Sequence, residues 1–192
     1  MVSLMKGWSN HVGVQRAAQV MRAGGVIAYP TESVWGLGAD PHNAKAIARL
    51  LAFKHRSVEK GLILIAANIQ QVEPWLERLS AQERETLLAT WPGPNTWLVP
   101  NHQLASYWVT GRHESVALRV TAHPVAAALC SAFGGPIIST SANPQARPAA
   151  KDSVQVRRYF GSQLDAIAPG RTGGRRQPSQ IRDLASGKTL RP

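Results

Sequence analysis

Pro136-Ile137-Ile138-Ser139-Thr140-Ser141-Ala142-Asn143 reads as a short apolar strand that ends in a corner of hydroxyls and one carboxamide. Before it, His123-Pro124 begins a predicted helix that runs past Cys130, so the local order is helix, then strand. That order recurs along the chain and decides the fold class. The corner itself is a candidate site, because three hydroxyls and an amide packed together can make many hydrogen bonds to one ligand.

Working outward, Ser9 or Asn10 is placed to cap a helix whose Val14, Ala17, Ala18 and Met21 fall three or four apart, and Gly24-Gly25 ends it. A strand is expected at 26–29. Asp40-Pro41 and Asn43 open a second helix, with Ala44, Ile47, Leu50 and Leu51 on one face, that runs into Lys54. The unbroken apolar run at 62–66 suits a strand covered on both faces. Ser80 and Glu83 form a capping box for a helix reaching about Ala89, which Trp91-Pro92-Gly93-Pro94 stops. Strands are expected at 96–99 and 116–120. Asp152 or Ser153 caps a helix through Tyr159, followed by a strand near 164–168 and a looser C-terminal end. The interleaving predicts an α/β (α+β) fold, a sheet layered with helices, in one domain spanning residues 1–192.

Composition narrows the partners. Twenty-two Lys and Arg face 11 Asp and Glu, a net charge of +11, and the pI is near 10.9. Such a chain suits a polyanion: RNA, DNA or a phosphorylated ligand. A merely solvated basic surface gives the same count, and charge alone does not choose between them. Arg171, Arg175, Arg176 and Arg182 crowd one Gly-rich segment, read either as a flexible basic loop beside a phosphate site or as a surface tail.

Cys130 is the single cysteine, which excludes an intramolecular bridge and fits a reducing compartment. Its apolar neighbours, 125–129, point to a core thiol rather than a nucleophile. No apolar stretch approaches the roughly 20 residues needed to span a bilayer, and the first residues lack a secretory pattern. A cytoplasmic protein without membrane attachment is expected. The six histidines, at 11, 42, 55, 102, 113 and 123, lack ligand spacing, so no protein-caged metal is expected.

Three further motifs carry candidate chemistry. Tyr29-Pro30-Thr31-Glu32-Ser33 leaves a strand and is followed by Gly36-Leu37-Gly38, whose glycines let backbone approach a ligand while Thr31 offers a hydroxyl at the strand's carboxyl end, although Pro-Thr-Glu also begins ordinary turns. Lys54-His55-Arg56 ends a helix, where cations either complement the helix dipole or, with Lys60, hold a triphosphate. Arg119 interrupts an apolar strand pattern and needs a fixed anionic partner, a ligand carboxylate or a structural ion pair. There is neither a Walker loop nor a GxGxxG fingerprint.

Taken in order, Tyr29-Pro30-Thr31-Glu32, Lys54-x-Arg56, Lys60 through Ile65, Trp91-Pro92-Gly93-Pro94, 115–120, Ser139 to Asn143, Thr172-Gly173-Gly174 and Pro178-Ser179-x-Ile181-Arg182-Asp183 closely resemble the YrdC/TsaC family of L-threonylcarbamoyladenylate synthases, in its short single-domain form. The resemblance spans nearly the whole chain. It implies a YrdC-like twisted mixed sheet around a basic concave cavity. It also implies a nucleotidyltransferase reaction in which L-threonine, bicarbonate or CO2, and ATP give threonylcarbamoyl-AMP and pyrophosphate. The product would be passed to downstream threonylcarbamoyl-transferase proteins that build N6-threonylcarbamoyladenosine next to the anticodon of tRNAs reading codons that start with A. Magnesium would accompany ATP as its counter-ion.

By motif, the resemblance makes Lys54, Arg56, Ser141 and Asn143 the catalytic tetrad. Arg56, Lys60, Ser115, Ser141 and Arg191 would face ATP, while Thr31, Arg119, Ser139 and Ser179 would face threonine. Ser57 stands where members commonly have proline, and Gln145-Ala146-Arg147 replaces their Leu-Ser-Gly. Ile65 stands where longer members carry a threonine-contacting histidine, and the lid of those members could be matched here only by 170–182. Since the sequence offers no strong acid–base pair, catalysis is expected to rest on positioning and charge stabilisation. The rival class is a non-catalytic RNA-binding module. It explains the charge but not the hydroxyl cluster or Arg119. Direct tRNA contact through the basic surface is compatible with either.

Overall fold

The computed structural model describes residues 7–191. Its centre is a nine-stranded mixed sheet made of β1 (Ile27–Pro30), β2 (Trp35–Gly38), β3 (Ile63–Ala66), β4 (Asn95–Pro100), β5 (Ser115–Val120), β6 (Ile137–Ser141), β7 (Ala166–Ile167), β8 (Gln180–Asp183) and β9 (Thr189–Arg191). The strand order is β7-β1-β2-β6-β3-β5-β4-β8-β9. The β1–β7, β3–β5 and β4–β8 pairs are parallel and the others antiparallel. Strands distant in sequence thus become neighbours, and β6 ends between β2 and β3.

Helices form where the capping residues sit. In α1 (Val12–Arg22) the cap is His11, whose Nδ1 accepts from the Gly13 amide at 3.0 Å, so the expected Ser9 or Asn10 cap is displaced downstream. Asn43 caps α2 (Ala44–Lys54), and His55 ends it in the left-handed region. Ser80 and Glu83 form the expected capping box of α3 (Ala81–Leu88). His123, with Pro124 following, starts α4 (Pro124–Phe133), and Asp152 starts α5 (Ser153–Phe160).

Two apolar clusters hold the layers together. Val26, Ala28, Leu64 and Ala66 join Trp35, Leu37, Leu118 and the buried side of α2 in one. Ile27, Tyr29 and Ile65 join α1 and α4 in the other, with Cys130 wholly buried among them. The split follows the period of two along each strand, which sends successive side chains to opposite faces. Because α1 and α4 cover only part of their face, alternate residues of the central strands beyond them line an open hollow.

Two segments differ from the sequence reading. Gly36-Leu37-Gly38, given no strand from the sequence, is part of β2, paired to β1 on one side and β6 on the other. Its near-absence of strand-forming side chains hid it. The looser C-terminal end contains β8 and β9, whose side chains, half-buried in β8 and exposed in β9, carry little periodicity. Among the described residues no helix is long and apolar enough to cross a membrane.

Candidate active site

A cavity of about 460 Å³ opens on the sheet face left uncovered by α1 and α4. Its floor follows from strand alternation. Ser115, Ala117 and Arg119 of β5, Ile63 and Ile65 of β3, and Ser139 and Ser141 of β6 face it, while Val116, Leu118 and Ile138 point into the core behind. The ladder registers Ile65 opposite Arg119, and Ile63 opposite both Ala117 and Ser139, bringing the three strands' inward residues side by side.

The hydroxyl corner is held from behind by the upstream basic segment. Lys54, 6% exposed at the end of α2, donates to the backbone oxygen of Ser141, to the backbone oxygen of Asn143 at 2.8 Å and to Asn143 Oδ1 at 3.3 Å. Ser141 Oγ in turn donates to Asn143 Oδ1 at 2.6 Å, and the Asn143 amide donates to the Arg147 carbonyl at 2.7 Å. Lys54 itself is not on the cavity wall, whereas Ser141 and Asn143 are. Burial, and then the nearby Arg56, push the Lys54 ammonium down to about 8.

Arg56 does reach the wall, donating to the Gly61 carbonyl at 3.0 Å, and burial holds its pKa below the usual arginine value. Lys60 lies beside it on the same rim and is exposed. This rim is built from two interlocked turns. Gly111 has φ +60°, and a Cβ there would sit 2.4 Å from the Glu59 carbonyl, so only glycine lets the 109–113 turn press against the 58–61 turn. The Arg112 amide then donates to Glu59 at 3.2 Å, and His113 is carried to the cavity next to Lys60. Sequence reading missed His113, since a lone loop histidine carries no pattern.

Arg119 has an ion-pair partner, one of the two kinds of anion left open from the sequence. Its Nη2 lies 2.5 Å from Glu32 Oε1, both side chains being largely buried, and its Nε donates to the Gly93 carbonyl at 2.9 Å. Glu32 Oε1 also accepts from the Thr121 hydroxyl and the Ala122 amide. Burial alone would raise the Glu32 carboxyl, but the Arg119 charge and these donors hold it below the usual range. Arg119 still lines the cavity.

The remaining candidates converge on the same hollow. Thr31 donates its hydroxyl to the Val34 carbonyl at 2.7 Å, which leaves its oxygen free to accept from a ligand. Arg191 reaches back to Ser179, donating from Nη2 to the backbone oxygen at 2.7 Å and to Oγ at 3.1 Å. Partial burial, and then Arg119 and Arg56, lower the Arg191 pKa, as expected where cations crowd one space. Of the 11 residues given roles from sequence, the wall collects all but Lys54: Thr31, Arg56, Lys60, Ser115, Arg119, Ser139, Ser141, Asn143, Ser179 and Arg191.

The basic Gly-rich segment is tied to the cavity's edge. Gly173 donates to the Thr31 carbonyl at 3.0 Å and Arg175 to the Glu32 carbonyl at 2.9 Å, while His123 Nε2 meets the Arg171 carbonyl at 3.0 Å. Because His123 Nδ1 accepts from the Ala126 amide, Nε2 is the protonated nitrogen. Arg171, Arg175 and Arg176 stay exposed. The cavity wall contains no carboxylate, and no cluster of metal-ligating side chains occurs among the described residues.

Comparison with known proteins places this geometry. The family model Sua5_yciO_yrdC, described as "Telomere recombination", matches residues 19–192. A threonylcarbamoyl-AMP synthase of Cellvibrio japonicus is 59% identical over 188 residues, covering 98% of this chain and all of that protein. One of Stutzerimonas stutzeri is 58% identical over 93% of this chain and 96% of its own. Among solved structures, P. abyssi Sua5 complexed with L-threonine superposes with a TM-score of 0.86 at 30% identity, covering 93% of this chain and 53% of that one. E. coli YciO, at 22% identity, 93% and 87% coverage and a TM-score of 0.81, shares the fold.

Proposed function

The chain belongs to the Sua5/YciO/YrdC family, and from that premise we infer that it is a threonylcarbamoyl-AMP synthase. It joins L-threonine, bicarbonate or CO2, and ATP into threonylcarbamoyl-AMP and releases pyrophosphate. The observation that carries this reading is the Lys54 clasp, which ties the cationic segment after α2 to the Ser141–Asn143 corner and so gathers phosphate-binding and hydroxyl groups around one cavity.

The chemistry needs little from acid–base residues. The threonine amine adds to CO2 and loses a proton to solvent, forming a carbamate. A carbamate oxygen then bonds to the α-phosphorus of ATP as the bond from that phosphorus to the bridging oxygen breaks. Negative charge grows on the departing pyrophosphate, and the Arg56 and Lys60 cations at the rim are placed to stabilise it. Ser115, Ser141 and Arg191 support ATP binding, and Leu98, Ile181 and Leu190 add apolar wall suited to a base. Lys54 and Asn143 act by holding the corner in shape.

Threonine fits the other part of the wall. Thr31, Ser139 and Ser179 offer hydroxyls, and Arg119 offers a guanidinium for the α-carboxylate, held in place by Glu32. Ile65 occupies apolar wall beside Arg119, so recognition there comes from shape rather than a histidine. Magnesium does not find a protein site on this wall. It would arrive on the phosphates of ATP, and no step above depends on it.

The exposed arginines at 171, 175 and 176 sit at the cavity's edge and supply a surface for tRNA or for the transferase that consumes the product. The deciding experiment measures pyrophosphate release from ATP. Release should require both threonine and bicarbonate. Release without threonine, or none with all three substrates, would overturn the assignment.

A further inference from the structure

Tyr29 is wholly buried at 0% exposure, yet its hydroxyl has no hydrogen-bond partner of good geometry. An orphaned buried hydroxyl costs free energy, and such groups concentrate where function needs them. The mechanism above makes no use of it.

The composition of β2 explains how the ring reaches its place. Tyr29 is registered opposite Gly36. A Cβ on Gly36 would lie 3.3 Å from Tyr29 Cζ and 3.4 Å from its oxygen, and one on Gly38 would lie 2.8 Å from Cε1. The ring therefore crosses β2 through space that two side chains would have filled. Beyond β2 lies β6, registered with Gly36 opposite Ser141 and Leu37 opposite Thr140. The Tyr29 hydroxyl arrives there beside the Ser139 hydroxyl. Gly36 and Ser139 both form cavity wall, and the tyrosine ring lies beside them on the same face of the sheet. Burial raises the phenol's pKa, so it stays a protonated donor at any working pH.

We propose that Tyr29 is a positioning residue for Ser139, donating to its Oγ from the cavity's flank so that the serine's own proton points into the cavity, toward an oxygen of the amino-acid substrate. A free serine hydroxyl rotates and can donate or accept, whereas one already accepting from the tyrosine is set to donate to the substrate. The buried phenol proton has no other acceptor among the described residues, which leaves it for Ser139 Oγ. This inference rests on the threonine-binding reading and adds a residue that does not touch the substrate.

Tyr29→Phe removes one oxygen and keeps the ring. The threonine KM should rise about tenfold, the worth of one neutral hydrogen bond, while the ATP KM and the melting temperature stay near wild type. Ser139→Ala should raise the threonine KM comparably, and Tyr29→Phe should add nothing in that background, because the two act as one unit. A crystal structure of the wild type with threonine should show the two hydroxyl oxygens within hydrogen-bond distance. An unchanged threonine KM in Tyr29→Phe, additive effects in the double variant, or hydroxyls that stay apart with threonine bound would each overturn it. Loss of threonine dependence in the wild-type enzyme would instead defeat the functional reading, so the two failures are separable.

Discussion

Lys54 and Asn143 are joined twice, the lysine ammonium donating to the asparagine's backbone carbonyl at 2.8 Å and to its side-chain Oδ1 at 3.3 Å across 89 positions of sequence. A third bond reaches the Ser141 carbonyl. Three acceptors use all three ammonium protons, so this lysine has none left for a ligand. Its cation is a brace for the corner, and the neighbouring Arg56 is the one that reaches the cavity.

The brace is pH-sensitive. Since burial and Arg56 lower Lys54 to about 8, the folded chain releases this proton more readily than the unfolded chain. Between about pH 8 and the ordinary lysine range near 10.4, the unfolded state binds more protons, so this group's contribution to stability becomes more favourable as pH rises. Activity should move the other way, because the neutral amine holds the corner less firmly. Turnover should fall as pH rises through about 8, and the limb should vanish, from a much lower starting rate, in Lys54→Met.

Arg56→Ala should leave the melting temperature almost unchanged, since the arginine donates only to the Lys60 and Gly61 carbonyls at the rim. Turnover should drop about 10²- to 10³-fold, as when one preorganised charge-stabilising donor is removed. Steady-state pyrophosphate release measures it, and a rate near wild type would remove Arg56 from the chemistry.

Glu32→Gln should strip Arg119 of its counter-charge while keeping the shape. Breaking a buried pair from one side costs about 3–5 kcal/mol, read as a lower denaturation midpoint at pH 7. The wild-type carboxyl is held below its unfolded value, so its contribution is present above the unfolded pKa and is lost as pH falls through the folded one. The acid step in stability should be present in the wild type and missing in Glu32→Gln.

Gly38→Ala tests how β2 accommodates the tyrosine. The new methyl would stand 2.8 Å from Tyr29 Cε1 and 3.3 Å from the Ile138 carbonyl, and neither the buried ring nor the ladder has room to yield. A loss of about 1–3 kcal/mol is expected from such overpacking, and thermal melts would show it. Pairing it with Tyr29→Ala should recover part of that loss.

Much of the layering was legible because capping residues and apolar spacing act within a few residues of each other. Asn43, Ser80 with Glu83, His123-Pro124 and Asp152 each mark a helix start that the structure keeps. Strand β2 was illegible, because Gly36 and Gly38 carry no side chain to show a period and owe their place to Tyr29 from another strand. Strand β9 was hidden because an exposed edge strand needs no apolar alternation, and β8 because its half-buried side chains show none.

The same division runs through the site. The residue types alone determined that this chain carries clustered hydroxyls, an arginine in an apolar strand and a large positive charge, since those are properties of composition and spacing. Which of them meet was decided only by the sheet order, which seats β6 between β2 and β3 and lays β5 beside β3. Only that packing could turn Lys54 inward as a brace, give Arg119 the Glu32 carboxylate and set Tyr29 beside Ser139, because each of these pairings joins segments far apart in the chain, and no local pattern encodes a contact made by a distant strand.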